Sequence, residues 1–213
     1  MPAPRLLPAL RPSPPRAVGK PSAAPRAARP LHVLMLSDVH FPRINGVSTS
    51  IQTFRGSLAR LGVRVTVVAP DYPGTDAAAD AAAGTMRLPS RRVPLDPEDR
   101  LMHWGSLARL DRRLAGAGAT EPLMVGVDLV HVQTPFAAHY AGLRLARKRG
   151  VPCIATYHTH FEEYLFHYVR FLPRRMLRAA ARALARHQCN ALDAVVVPSQ
   201  PMASTLLGYG VDT

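Results

Sequence analysis

An α/β fold built on a doubly wound, mostly parallel sheet is the architecture that the sequence predicts. Short apolar runs rich in β-branched residues alternate along the chain with segments of helical periodicity. Strands of a parallel sheet are covered on both faces, so they form nearly continuous apolar runs. Because strand and helix alternate, right-handed crossovers are expected to place helices on both faces of the sheet.

Five strands and five helices account for most of the chain after residue 30. The strands are predicted at Leu31–Leu36, Val63–Ala69, Asp128–Val132, Val151–Tyr157 and Ala194–Val197. The helices are predicted at residues 48–61, 101–115, 136–149, 173–190 and 200–208. Residues 73–100 are predicted as a loop apart from a short strand around Met86–Leu88, and residues 116–126 as a second loop.

The composition divides the chain into a tail, residues 1–30, and one domain, residues 31–213. Nine of the first 30 residues are proline, six are lysine or arginine, and none is acidic. Such a segment cannot bury enough apolar surface to fold, so disorder is predicted for it. The tail contributes +6 to the formal net charge of +13, and the domain is therefore less basic than the total suggests.

The excess of 27 basic over 14 acidic residues favours a polyanionic partner, such as anionic lipid, a phosphorylated small molecule or nucleic acid. Nucleic acid is disfavoured, because much of the charge lies in the tail and no recognised binding motif appears. Two cysteines, Cys153 and Cys189, cannot form a disulfide framework and have no partner at metal-ligand spacing, which fits a reducing compartment. No apolar run approaches the length of a membrane span.

The bend after the first predicted strand has the composition of an anion-binding turn. Asn45-Gly46 permits a turn with positive φ, and Gly46 lets a ligand come close to the backbone. Ser48 or Thr49 is expected to cap the next helix, whose first amides favour an anion. The segment is neither a Walker A loop nor a G-x-G-x-x-G fingerprint, and the same residues occur in many ordinary strand-to-helix turns.

A second polar cluster follows the strand predicted at Val151–Tyr157, where the sequence reads TYHTHFEEY. His158, His160, Glu162 and Glu163 stand close together there, and three interpretations are open. The two histidines with a carboxylate could bind a metal. His158 could instead form a hydrogen bond with a ligand. The residues could also be surface groups, with the two glutamates favouring a helix N-terminus.

Four motifs, each following a predicted strand, decide between these interpretations. FPRINGVSTSI, VHVQTPF, TYHTHFEEY and VVVPS occur in this order and at proper separations. Together they resemble the N-terminal half of family 4 glycosyltransferases of the GT-B type over about residues 31–213. The glycolipid-forming branch, with phosphatidylinositol mannosyltransferases and diacylglycerol glucosyltransferases, is the most similar.

The resemblance implies a Rossmann-like, acceptor-side domain of a retaining enzyme that uses a nucleotide-sugar donor, a lipid or other hydroxyl acceptor, and no metal or other cofactor. It implies that Gly46 and Val47 approach the donor diphosphate through their amides, and that His158 faces the transferred sugar as the catalytic residue. The residues that it implies around the acceptor and sugar are Asn45, Thr134, Tyr157 and Ser199.

The family's second domain, which holds most of the donor, has no counterpart before the sequence stops at Thr213. The expectation is a fragment, or a chain completed by a partner. A transferase half for a hexose is therefore the first hypothesis. The alternative hypothesis is a non-catalytic remnant that binds a membrane or a partner.

An arginine-rich helix is predicted between residues 173 and 190. Arg174, Arg178 and Arg182 recur every four residues, and Arg175 adds a further cation. Such a helix can lie on anionic headgroups, or it can be an ordinary solvated face. The resemblance to glycolipid-forming enzymes favours membrane contact by these four arginines. The protein is expected in the cytoplasm, where it can attach peripherally to the inner face of the cytoplasmic membrane.

Overall fold

The computed structural model describes residues 29–93, 96–110, 126–158 and 173–213. Six strands form the main sheet: β1 (His32–Leu36), β2 (Arg64–Pro70), β3 (Thr85–Leu88), β6 (Leu129–Val132), β7 (Cys153–Thr156) and β8 (Ala194–Val196). Their order across the sheet is β3-β2-β1-β6-β7-β8, and every pair is parallel. The predicted α/β class with a doubly wound parallel sheet is confirmed.

The helices among the described residues are α1 (Gly46–Arg60), α2 (Ala77–Ala82), α3 (Trp104–Ala108), α4 (Ala137–Arg149), α5 (Arg174–Cys189) and α6 (Gln200–Gly208). Helix α1 covers one face of the sheet and packs on Val33, Met35 and Val67 through Ile51 and neighbouring apolar residues. Helix α4 covers the other face, where Leu34, Leu36 and Val130 belong to the larger core cluster. The two apolar clusters lie on different faces because successive strand residues point to opposite sides of the sheet.

A hairpin that the sequence did not predict interrupts the connection between β3 and β6. Strand β4 (Ser90–Val93) pairs antiparallel with β5 (Asp96–Met102). The predicted loop at 73–100 is therefore wrong for this hairpin and for α2, and the predicted helix at 101–115 begins later, at Trp104. The hairpin lacks an apolar run because Arg91, Arg92 and Glu98 are exposed, so its strands give no buried-strand signal.

Arg29, near the end of the predicted tail, contacts the segment that precedes β6. Arg29 forms a two-point ion pair with Asp128, with Nη–Oδ distances of 2.7 and 3.0 Å. Asp128 Oδ2 also accepts a hydrogen bond from the His32 amide at 2.9 Å. Asp128 thus joins both Arg29 and the start of β1 to the segment that precedes β6. Residues 1–28, for which disorder was predicted, lie outside the described residues.

Candidate functional site

The carboxyl edge of the sheet between β1 and β6 is the place where the strand order reverses. From β1 the chain continues to β2 on one side, and from β6 it continues to β7 on the other. In open α/β sheets, ligands bind at such a switch point beyond the carboxyl ends of the strands. The turns that follow β1, β6 and β7 meet at this edge.

Strand register assigns the residues at this edge to opposite faces. Met35, on the α1 face, pairs with His131 of β6, and His131 pairs with Ile154 of β7. By alternation, Gln133 and His158 continue the α1 face. The ring of His131 confirms the assignment, since it meets Phe54 of α1 edge-on at 5.4 Å between centroids.

Helix α1 begins at Gly46, and Asn45 is its N-cap. Asn45 Oδ1 accepts a hydrogen bond from the Ser48 amide at 2.9 Å, while the Ser48 hydroxyl donates to the Arg43 carbonyl at 2.7 Å. The expectation that Ser48 or Thr49 caps the helix is therefore wrong, because Asn45 already stands at the cap position with extended backbone angles. The Asn45 side chain therefore stabilises the bend by capping the helix.

The predicted positive φ at Asn45-Gly46 is also wrong, because Gly46 is the first helical residue. What the glycine provides is space: apart from its chain neighbours and the adjacent backbone of α1, no heavy atom lies within 4 Å of the position that a Cβ would occupy. Gly46 is exposed and Val47 is half-buried. Their amides belong to the first turn, where helix N–H groups have no partner inside the helix. The start of α1 thus presents open backbone donors at the carboxyl edge of β1.

His158 lies on the same face and is held by Gln133. Its Nε2 is 2.9 Å from Gln133 Oε1. Burial lowers the pKa of His158, so the ring is neutral at pH 7. The same diagonal contact occurs one step earlier, where His131 Nε2 lies 2.8 Å from Thr156 Oγ1. Sequence reasoning identified His158 but missed Gln133, although its place two residues after His131 puts it on the α1 face.

Thr134 points to the opposite face and bonds to Asp38. The Thr134 hydroxyl donates to Asp38 Oδ2 at 2.8 Å and accepts from the Asp38 amide at 2.7 Å. The Asp38 carboxylate also accepts from the amide of Ala138, in the first turn of α4, at 3.1 Å. Burial raises the pKa of Asp38 to about 6, and these hydrogen bonds limit the rise. Asp38 therefore acts as a cap for α4, which has no side-chain cap of its own.

Tyr157 and Ser199 flank the edge further along the sheet. The Tyr157 amide donates to the Val196 carbonyl at 2.9 Å, and its side chain packs against Cys189, Leu206 and Val211. Ser199 is the N-cap of α6 and accepts from the Met202 amide at 3.4 Å. Tyr157 lies on the face opposite His158, because the two residues are adjacent beyond β7.

Helix α5 has a buried face and a basic face. Leu177, Ala181 and Ala185 are buried, whereas Arg174, Arg175, Arg178 and Arg182 are exposed. The guanidinium of Arg182 stacks over the ring of Tyr209, 5.2 Å from its centroid. None of the described helices is both long enough and apolar enough to cross a bilayer.

A cavity of about 430 Å³ opens beside the hairpin and the start of α4. Arg91, Leu101, Met102, His103, Trp104 and Ala137 line it. Its volume is within the range of small-molecule sites. Trp104 is 65% exposed, which is unusual for so large an aromatic side chain.

The metal interpretation of TYHTHFEEY depends on residues outside the described ranges, namely His160, Glu162 and Glu163. Within those ranges, no group of three histidine, cysteine or acidic side chains is arranged to hold a metal ion. Cys153 and Cys189 are both buried free thiols whose pKa is raised by burial, to about 12 and about 11.

Sequence comparison identifies relatives over nearly the whole domain. An alpha-monoglucosyldiacylglycerol synthase of Streptococcus pneumoniae is 28% identical over 85% of this chain and 38% of its own length. A GDP-mannose-dependent alpha-mannosyltransferase of Mycobacterium tuberculosis is 32% identical over 85% of this chain and 45% of its own. An alpha-monoglucosyldiacylglycerol synthase of Acholeplasma laidlawii is 28% identical over 73% of this chain and 36% of its own.

The chain thus spans less than half the length of these curated relatives. The family model described as Glycosyltransferase Family 4 matches residues 44–213, which include the start of α1, Gln133 and His158. The match covers most of the chain and all four motifs on which the resemblance was based, save the first residues of the first motif. The chain therefore belongs to glycosyltransferase family 4.

Proposed function

We propose that this chain is the acceptor-side part of a retaining glycosyltransferase that transfers a hexose from a nucleotide-sugar to a lipid or other hydroxyl acceptor. The observation that carries the proposal is the open start of α1 on the same edge and face of the sheet as His158. Relatives named as a GDP-mannose-dependent mannosyltransferase and as monoglucosyldiacylglycerol synthases support the choice of donor and acceptor classes.

In this proposal, the amides of Gly46 and Val47 stabilise the diphosphate that leaves the sugar. Negative charge grows on the diphosphate as the glycosidic bond breaks, and helix N-terminal amides are preorganised donors for such charge. They contribute this stabilisation together with the donor-binding half, and no metal is required. His158 faces the transferred sugar as the catalytic residue. In the same proposal, Asn45 and Thr134 support the cleft indirectly, through the bend and the start of α4, and Tyr157 and Ser199 border it further along the edge of the sheet.

The sharpest test of the diphosphate role is Gly46→Ala compared with Gly56→Ala. Both glycines are in α1 with helical backbone angles, and neither would bring a Cβ into close contact. Each substitution should therefore raise the free energy of unfolding by about 0.4–1 kcal/mol. Only Gly46→Ala places a methyl group where the diphosphate approaches, and it should lower sugar transfer from GDP-mannose at least tenfold.

The assay uses the protein together with the donor-binding half, and unfolding is followed by circular dichroism in urea. Equal transfer by Gly46→Ala and Gly56→Ala would contradict the diphosphate role. His158→Ala should lower transfer by about 100-fold or more with folding intact, and near-normal turnover would remove His158 from the reaction centre.

We also propose that the cavity beside Trp104 takes the apolar part of a lipid acceptor. Leu101, Met102 and Trp104 provide an apolar lining, and Arg91 adds a cation to it. Trp104→Ala should raise KM for diacylglycerol-type acceptors severalfold and leave KM for the donor unchanged. Leu61→Ala, at another exposed apolar side chain, is the matched control. An equal change in both KM values would contradict a specific acceptor role.

The basic face of α5 is proposed to rest on anionic lipid at the inner face of the cytoplasmic membrane. Each cation near such a surface contributes about 1 kcal/mol. Arg174→Glu with Arg178→Glu should abolish flotation with phosphatidylglycerol vesicles. Arg60→Glu with Arg149→Glu makes the same change of charge at exposed positions in the last turns of α1 and α4 and should reduce flotation much less. Unchanged flotation of the α5 variant would end the proposal.

A further inference from the structure

Gln133 is a buried polar side chain whose only described role is a contact with His158. It is 1% exposed. Its Oε1 lies 2.9 Å from His158 Nε2, and its Nε2 has no hydrogen-bond partner among the described residues. A buried amide with one half unpaired costs stability that an apolar side chain of similar length would avoid. The contact with His158 therefore explains why a glutamine occupies this buried position.

We propose that Gln133 is a positioning residue that commits the Nε2–H of His158 and leaves Nδ1 as the ring nitrogen available to a ligand. A neutral imidazole has one donor nitrogen and one acceptor nitrogen. Gln133 Oε1 can only accept, so the nitrogen that it meets is the one that carries the proton. Because Gln133 is buried, its Oε1 fixes both the tautomer and the rotation of the His158 ring. The inference rests on the proposed function, in which His158 faces the sugar, and adds the assignment of its two ring nitrogens.

The chemical consequence concerns the kind of contact that His158 makes. With Nε2–H committed, Nδ1 accepts a hydrogen bond and has no proton to donate. The ligand group it meets is therefore a hydroxyl, which can donate to it, and not a phosphate oxygen. The diphosphate is left to the amides at the start of α1, which are donors only. Two functional groups at one edge of the sheet are thus matched to two different parts of a nucleotide-sugar.

Strand geometry explains why Gln133 can hold the ring. Gln133 lies directly after β6 and His158 two residues after β7, on the same face of the sheet. The neighbouring diagonal contact of His131 with Thr156, at 2.8 Å, has the same form. His131 is the titratable group among the described residues that interacts with His158, and its own pKa is lowered to about 4, so it is neutral at pH 7. Its charge therefore does not disturb the tautomer of His158 near neutrality.

The test is nitrogen-15 NMR of the imidazole rings in the protein without ligand, so its outcome does not depend on transfer activity. His158 should show a single tautomer with the proton on Nε2 and a protected Nε2–H signal. Gln133→Met removes the acceptor at similar length and should increase the exchange rate of this proton at least tenfold. Gln133→Glu keeps an acceptor oxygen, so it should retain the signal and raise the pKa of His158 by about one unit.

Thr156→Val is the matched control, because it removes the equivalent contact of His131 and should leave the His158 signals unchanged. A proton on Nδ1 of His158 would overturn the assignment. So would an Nε2–H signal that persists unchanged in Gln133→Met. Failure of the Gly46→Ala comparison with these NMR results intact would instead remove the proposed diphosphate role and leave the assignment of the ring nitrogens standing.

Discussion

Gln133 and Thr134 are adjacent in the sequence and serve opposite faces of the same sheet edge. Thr134 bonds to Asp38 through both its donor and its acceptor capacity, and Asp38 in turn caps α4. Gln133 bonds to His158, which is half-buried, and leaves its own amide nitrogen unpaired. The satisfied network on the α4 face stabilises the fold, whereas the incompletely satisfied pair on the α1 face is the one that we assign to function. Buried polar groups at a strand end thus have to be assigned face by face.

The largest effect that this comparison predicts is the loss of Asp38. Asp38→Ala leaves the Thr134 hydroxyl and the Ala138 amide without their acceptor in a buried place, so the free energy of unfolding should fall by about 2–4 kcal/mol. Asp76→Ala removes a similar cap from α2 at an exposed position and should cost about 1 kcal/mol. Urea denaturation measures both. Equal costs would mean that burial does not strengthen the Asp38 network.

The next effect is the pH dependence of the free energy of unfolding, which comes from titration of the buried groups. Burial lowers the pKa of His40, His131 and His139 from 6.5 to about 4, so the unfolded chain binds more protons between these values. Their contribution to stability is present above pH 6.5 and is lost as the pH falls towards 4. Asp38 acts in the opposite direction, because its pKa is raised from 3.8 to about 6. The three histidines together change the stability more than Asp38 does. The free energy of unfolding should therefore decrease from pH 6.5 to 4.5.

Thermal unfolding across this pH range checks the sign. His131→Gln, on the α1 face, should make the decrease shallower, and Asp38→Asn, on the α4 face, should make it steeper. A stability that is constant or rises as the pH falls from 6.5 to 4.5 would contradict the neutral, buried state of the three imidazoles.

The smallest effects come from substitutions at the two neighbouring residues themselves. Thr134→Val keeps the shape and leaves the Asp38 amide and carboxylate with one partner fewer, at a cost of about 1–3 kcal/mol. Gln133→Met removes a buried unpaired donor and should change the free energy of unfolding by less than about 1 kcal/mol. Paired urea denaturation of the two variants compares the faces directly. A larger loss for Gln133→Met than for Thr134→Val would reverse the assignment of structural and functional faces.

The sequence predicted the sheet well because its central strands, β1, β2 and β6, are largely buried on both faces. The run Leu31–Leu36 differs from β1 by one residue, and helix 200–208 has the observed bounds. The hairpin was missed because Arg91, Arg92 and Glu98 are exposed and give no apolar pattern. The start of α1 was misplaced because Asn45, and not a hydroxyl residue, takes the cap. These errors concern local competition between polar side chains, which periodicity does not report.

For the site, sequence motifs supplied Asn45, Gly46 and His158 but not the long-range contacts around them. Asp38 and Thr134 are 96 positions apart, and Gln133 and His158 are 25 apart. Their pairing depends on strand order and register, which place β6 between β1 and β7. Such contacts follow from the sheet once its topology is known, and no short segment of sequence contains them.

The most direct test of a functional α1 face is a map of amide and imidazole chemical-shift changes in this protein as GDP-mannose is added in the presence of the donor-binding half. The account predicts the largest changes at Gly46, Val47 and His158, with Thr134 and Ala138 on the α4 face nearly unaffected. Changes concentrated at Thr134 and Ala138, or no changes at Gly46 and His158 at millimolar donor, would contradict it.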